Sequence, residues 1–160
     1  MGKLRGMTMQ SHGGGIYGYP TYALRLPGQQ LYVAVLTNAY SGLAAANMVA
    51  MKAAAIAAGN PFQERTAITL APKVLDAYLG SYQIDDSNTR NFRSEGGQLV
   101  MDRNGCNKVV LTVFSDASFS IPNSVAYVEF GRDAEGAVSK VTFRGAGEPV
   151  VHVRTGALAP

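Results

Sequence analysis

The sequence predicts an α+β chain in two parts, a partial unit of antiparallel strands with one long helix followed by a small antiparallel β-barrel. Three observations carry this. A continuous apolar run, Leu31-Tyr-Val-Ala-Val-Leu36, is followed by the Ala-rich stretch 43–58, in which only Asn47 and Lys52 are polar. Beyond residue 80, short alternating segments repeat, most of them separated by turn signals: Gly96-Gly97, Asn104-Gly105, Glu135-Gly136 and Ala146-Gly147. Composition agrees: 160 residues with 47% hydrophobic and 16% charged suit a chain that buries a core, and exclude a disordered tail or a coiled coil.

In the first part, Tyr22 to Leu26 reads as a strand and Pro27-Gly28 as a turn. The run 31–36 reads as a strand covered on both faces. Ser41 is placed to cap the helix 43–58, and Gly59 to end it. Such a helix is apolar around nearly its whole circumference and wants burial on more than one side. At ~1.5 Å per residue it is too short for a comfortable membrane span, so it belongs in a core. One helix cannot cover both faces of a sheet. The C-terminal part, a second chain or further parts of a larger protein must supply the other layer, and self-association into a homodimer is expected.

Residues 61–71 read as a linker between parts 1–60 and 72–160. The second part opens with Pro72 at a helix start, with Val74, Leu75, Tyr78 and Leu79 as its apolar face. Strands are expected at 81–85, 89–94, 98–103, 108–114, 118–121, 126–132, 138–144 and 150–154. Alternation supports them, as in Val138, Lys140, Thr142 and Arg144 against Ser139, Val141 and Phe143.

Charge and composition exclude several classes. The balance 14 − 11 gives +3 with no basic run, which argues against nucleic acid. No stretch reaches the ~20 apolar residues of a membrane span, and the first residues carry no signal-peptide core. Cys106 is alone and reads as an inert thiol beside a turn. Two histidines and one cysteine far apart give no metal-ligand spacing, and no cofactor is expected. His152 shares a face with Glu148, Val150 and Arg154 and reads as an exposed or barrel-lining polar residue.

The segment Ser11-His12-Gly13-Gly14-Gly15-Ile16-Tyr17-Gly18 has the strongest chemical character. It satisfies G-x-G-x-x-G, yet a Pro-containing stretch and a strand follow where a dinucleotide site needs a helix. It also spells the His-Gly-Gly-Gly oxyanion loop of lipase-like hydrolases, but no G-x-S-x-G nucleophile elbow occurs. A plain glycine-rich loop is the bland alternative.

Together with Tyr22-Ala-Leu-Arg-Leu-Pro27 and Leu31 to Asn38, this segment resembles the C-terminal end of the serine β-lactamase and penicillin-binding-protein-like hydrolases, a superfamily that includes class C β-lactamases, D-aminopeptidases and esterases. His12, Gly13 and Gly14 match its Lys/His-x-Gly triad. Leu79 to Tyr82, Gly96 to Leu99, Val128 to Phe130, Asp133 to Gly136 and Val141 to Phe143 resemble the lipocalin-like domain often appended to it. The resemblance implies a partial β-lactamase-like unit before a lipocalin-like barrel, and serine-based acyl transfer in the intact family. It places His12, Gly14 and Gly15 as remnants of the catalytic strand and oxyanion backbone. The residues themselves offer Tyr17, Tyr19 and Tyr22 as a pocket lining, with Tyr17 and Tyr19 as the substrate-binding candidates, although aromatic residues at a strand start more often serve packing. The resemblance implies no metal. Relatives are often periplasmic or secreted, while this chain leaves its compartment open. No serine has Lys three residues later and no Tyr-x-Asn occurs, so the nucleophile is missing. The expectation is a C-terminal fragment or truncated paralogue, inactive alone, whose partner is a second copy or the missing half. The competing expectation is a non-enzymatic barrel that binds a small ligand or a protein.

Overall fold

The computed structural model describes residues 1–39 and 45–156, so the expected cap at Ser41 lies outside the described residues. The chain divides into two compact units.

The first unit comprises Met1–Glu64 with the loop segments Asn123–Val125 and Gly145–Glu148. Its sheet is an antiparallel meander of β1 (Gly2–Leu4), β2 (Met7–Ile16), β3 (Tyr19–Leu26) and β4 (Leu31–Leu36), in that spatial order. The turns form where the sequence allows left-handed backbone, at Arg5-Gly6 and at Gly18. Helix α1 (Ala46–Ala57) packs on β3 and β4. Its buried face is Ala46, Ala50, Ala54 and Ala55, small side chains at helical spacing that let the helix lie close to the sheet. Ala50 and Ala54 meet Leu4, Met9, Leu24 and Leu26, flanked by Tyr22, Val33, Val35 and Phe62. The helix stops as the sequence predicts. Gly59 takes φ 70°, its N–H donates to the Ile56 carbonyl and that of Asn60 to Ala55, closing a Schellman motif.

The second unit holds Arg65–Pro122, Ala126–Arg144 and Pro149–Pro160. After α2 (Pro72–Leu75) and a 3-10 turn (Asp76–Tyr78) come nine strands. They are β5 (Gly80–Asp85), β6 (Asn88–Glu95), β7 (Gln98–Arg103), β8 (Cys106–Val110), β9 (Thr112–Ser115), β10 (Ser118–Ser120), β11 (Tyr127–Arg132), β12 (Val138–Arg144) and β13 (Val150–Gly156). They form one antiparallel sheet ordered β8-β7-β6-β5-β13-β12-β11-β10-β9. Its two edge strands are consecutive in the chain, so the sheet curls into a nearly closed barrel. Gly96-Gly97 and Asn104-Gly105 all have positive φ, the backbone that tight hairpins need.

The interior is filled by rings. Phe130 lies 4.6 Å from Tyr78, 4.9 Å from Phe92, 5.6 Å from Phe119 and 5.8 Å from Tyr82, mostly edge to face. The Tyr82 hydroxyl donates to the Tyr78 carbonyl at 3.0 Å, and burial pushes its pKa up to about 12. Residues 65–70 lie along this unit. Arg65 stacks on Tyr127 at 3.8 Å and Phe114 at 4.9 Å, and the Ile68 N–H donates to Val113 on edge strand β9.

Three expectations need correcting. The chain is mostly β, because the first sixteen residues supply two further strands and the described helix is 12 residues, about three turns. The α+β class with one long helix therefore gives way to two antiparallel sheets with a short helix. The expected strand 108–114 is two strands, broken at Leu111, whose side chain is buried and whose N–H donates to Leu99. The break is where the chain passes from one sheet edge to the other. The helix also buries one face only, leaving Ile56 66% exposed.

Candidate functional site

Strand β2 carries the residues with the strongest chemical character, and its two halves differ. Met7, Thr8 and Met9 pair with Leu4, Lys3 and Gly2 of β1. From Gln10 to Gly15 the strand pairs with β3 alone among the described residues. All six are exposed, including Ser11, Gly13 and Gly15, which alternate with His12 and Gly14 and so face the helix side of the sheet. Among the described residues nothing covers either face of this half of β2 or pairs with its second edge, where its main chain presents donors and acceptors to a further strand.

Register places the predicted site residues individually. His12 lies opposite Ala23, Gly14 opposite Thr21 and Gly15 opposite Pro20. Gly15 has no room for a side chain, since a Cβ there would sit 2.8 Å from the Tyr19 carbonyl oxygen. Tyr17 is on the hairpin turn and 96% exposed, and Tyr19 is 56% exposed. The strand thus brings His12 and Gly14 to one face, while Tyr17 projects from the hairpin tip. Ser11, the serine adjacent to His12, projects from the opposite face. No group of three or more His, Cys, Asp or Glu side chains that could hold a metal ion occurs among the described residues.

The face that carries His12 has no covering layer among the described residues of this unit. It continues across β3 through Arg25 to Tyr32 and Leu36 on β4, which are 66% and 78% exposed. The apolar run 31–36 predicts a strand covered on both sides. In the structure β4 alternates half-buried Leu31, Val33 and Val35 with exposed Tyr32, Ala34 and Leu36. The apolar run was the signal that this face wants a cover. His152, read as exposed or barrel-lining, is 5% exposed on the inner face of the barrel.

No family model matches the chain, and no curated protein matches it. A solved structure described as SurE with D-Leu is 19% identical over 92% of this chain and 35% of its own, with a TM-score of 0.46. A second SurE structure is 20% identical over 91% of this chain and 34% of its own, also at 0.46. The octameric penicillin-binding protein homologue from Pyrococcus abyssi is 19% identical over 91% of this chain and 34% of its own, at 0.37. The chain spans about a third of the length of the solved chains it matches.

These findings overturn the assignment to the β-lactamase and penicillin-binding-protein-like hydrolases. No family model and no curated protein matches the chain, and the solved structures named carry no argument for it, each standing at a TM-score below 0.5. The physical reason lies in what carried the resemblance. A glycine-rich strand followed by two strands and a helix is a meander with a helix laid on it, an arrangement that many unrelated sheets adopt.

Proposed function

We propose that the chain is a non-enzymatic protein-binding module whose binding surface is the N-terminal sheet, and that a second copy of the chain is its occupant. The observation that carries this reading is the half-strand Gln10–Gly15, paired on one side only and exposed on both faces. Open sheet edges pair with other chains unless charge, proline or a bulge blunts them. This stretch, Gln-Ser-His-Gly-Gly-Gly, holds no Lys, Arg, Asp, Glu or Pro. The barrel centre, packed with aromatic rings, is a poor competitor for a small ligand.

An antiparallel pairing of two copies about Gly13 sets Ser11 against Gly15 and His12 against Gly14, with no like charges fully opposed at neutral pH. It would satisfy the free main-chain groups and extend two four-stranded sheets into one of eight. Light scattering at micromolar concentration is expected to give the mass of a dimer. Gly13→Lys is expected to return the chain to a monomer, because two lysines would then face each other across the twofold axis. The nearest atom to a Cβ there is a Tyr22 ring carbon at 3.4 Å, so the fold tolerates the change. A monomeric wild-type chain, or a Gly13→Lys chain that stays dimeric, sinks the edge-paired reading. Incubation with a fluorophosphonate followed by intact-mass measurement is expected to show no adduct.

A further inference from the structure

The inner face of the barrel holds one polar cluster that packing does not account for. Arg90 on β6 lies opposite Tyr82 and Arg103, and His152 on β13 lies opposite Val141. Both touch the ring of Phe143 on β12. The Arg90 guanidinium carbon is 4.8 Å from the Phe143 ring centre, and the His152 ring is 4.9 Å from it on a tilted stack. Arg90 Nε and His152 Nδ1 are both enclosed, and neither has a hydrogen-bond partner. A buried nitrogen without a partner loses its hydrogen bonds to water and gains none in return, so two in one cluster require a reason.

The charged groups around the cluster are mostly engaged elsewhere. Arg154, two residues beyond His152, donates to the Leu79 and Val138 carbonyls. Asp102, which acts on Arg90, is held by Asn91, Arg93 and the Gly105 N–H. Asp85, which feels Arg103, is held by Asn88 and the Ser87 N–H. Tyr82 stays neutral. Arg90 and His152 are thus left facing Phe143, with no carboxylate among the described residues bound to either.

We propose that Arg90 and His152 form a binding pair for an oxyanion, a carboxylate or phosphate group, at this end of the barrel, and that Phe143 is the ring that turns aside to admit it. Phe143 is only half-buried, so its ring has solvent to turn into. The guanidinium supplies a fixed charge with fork geometry, and the imidazole supplies a second N–H and, once protonated, a second charge. Without an anion, burial and then the charge of Arg90 hold the His152 pKa below the usual imidazole range. The unfolded chain then binds the proton more readily. Stability contributed by neutral His152 is complete above the ordinary imidazole pKa and is lost as pH falls through the lowered folded value. An anion bound between the two cations reverses this, since it favours the protonated ring.

The test is a pH titration of both histidine ring signals by NMR, at constant ionic strength, in chloride, in sodium acetate and in sodium phosphate. Exposed His12 serves as the internal control. Acetate or phosphate is expected to raise the His152 midpoint by about half a unit, roughly threefold in proton affinity, and to leave His12 in place. A response to acetate alone marks a carboxylate site, and one to phosphate alone a phosphate site. Arg90→Met is expected to abolish the response and Phe143→Ala to strengthen it. Equal movement of both histidines, or no movement of either, overturns the proposal from the wild-type chain alone. A response that survives in Arg90→Met overturns it as well.

Discussion

Phe130→Ala is expected to lower the stability of the barrel by about 3–5 kcal/mol, a large share of what a domain of this size has to lose. The ring is 5% exposed and touches Tyr78, Tyr82, Phe92 and Phe119. These residues come from the turn before β5 and from β5, β6 and β10, so the hole left by truncation is bounded by rings on separate elements and cannot collapse cheaply. Chemical denaturation followed by near-ultraviolet circular dichroism is the measurement. A midpoint within error of wild type would mean that the aromatic cluster is not the centre of the barrel's stability. Phe130→Leu, which keeps most of the volume, is expected to recover the greater part of the loss.

Asp102→Ala is expected to cost about 3 kcal/mol for a different reason. This carboxylate is 1% exposed, accepts from Asn91 Nδ2 at 2.8 Å and the Gly105 N–H at 2.6 Å, and pairs with Arg93 at 3.1 Å. Truncation strands those donors. Burial by itself would raise the Asp102 pKa, but the hydrogen bonds from Asn91, Gly105 and Arg93 outweigh it and hold the carboxyl below its ordinary value. The stabilisation is therefore present above the unfolded-chain pKa of about 3.9 and is lost as pH falls through the lower folded value. Stability measured against pH is expected to lose part of its acid limb in Asp102→Asn. An unchanged acid limb in that variant would show that other carboxylates set it.

Much of the architecture was legible in the residues. The strands 31–36, 98–103 and 138–144 occupy their expected ranges, and Gly59 ends the helix it was expected to end. These succeed because alternation, turn dipeptides and a helix-stopping glycine act over a few residues, where local preference and the final fold agree. The glycine-rich strand β2 was legible only as an unusual segment. Glycine carries no strand signal, and Gln10–Gly15 are extended because β3 offers them a ladder. The break at Leu111 was likewise hidden, and the choice between the exposed and barrel-lining readings of His152 stayed open, since each depends on how the sheet curls rather than on its neighbours in sequence.

The sequence by itself determined the division into a strand-and-helix part and a strand-rich part, the turns that join the strands, and the presence of an apolar run with too little to cover it. The tertiary structure alone decided, among the described residues, which side of that run is bare, which half of β2 lacks a partner, and which polar side chains enter the barrel. A strand's pattern says that it has two faces, but the order of the strands and their register assign each face a neighbour or leave it open. Arg90, Phe143 and His152 meet only because β6, β12 and β13 curl around one core.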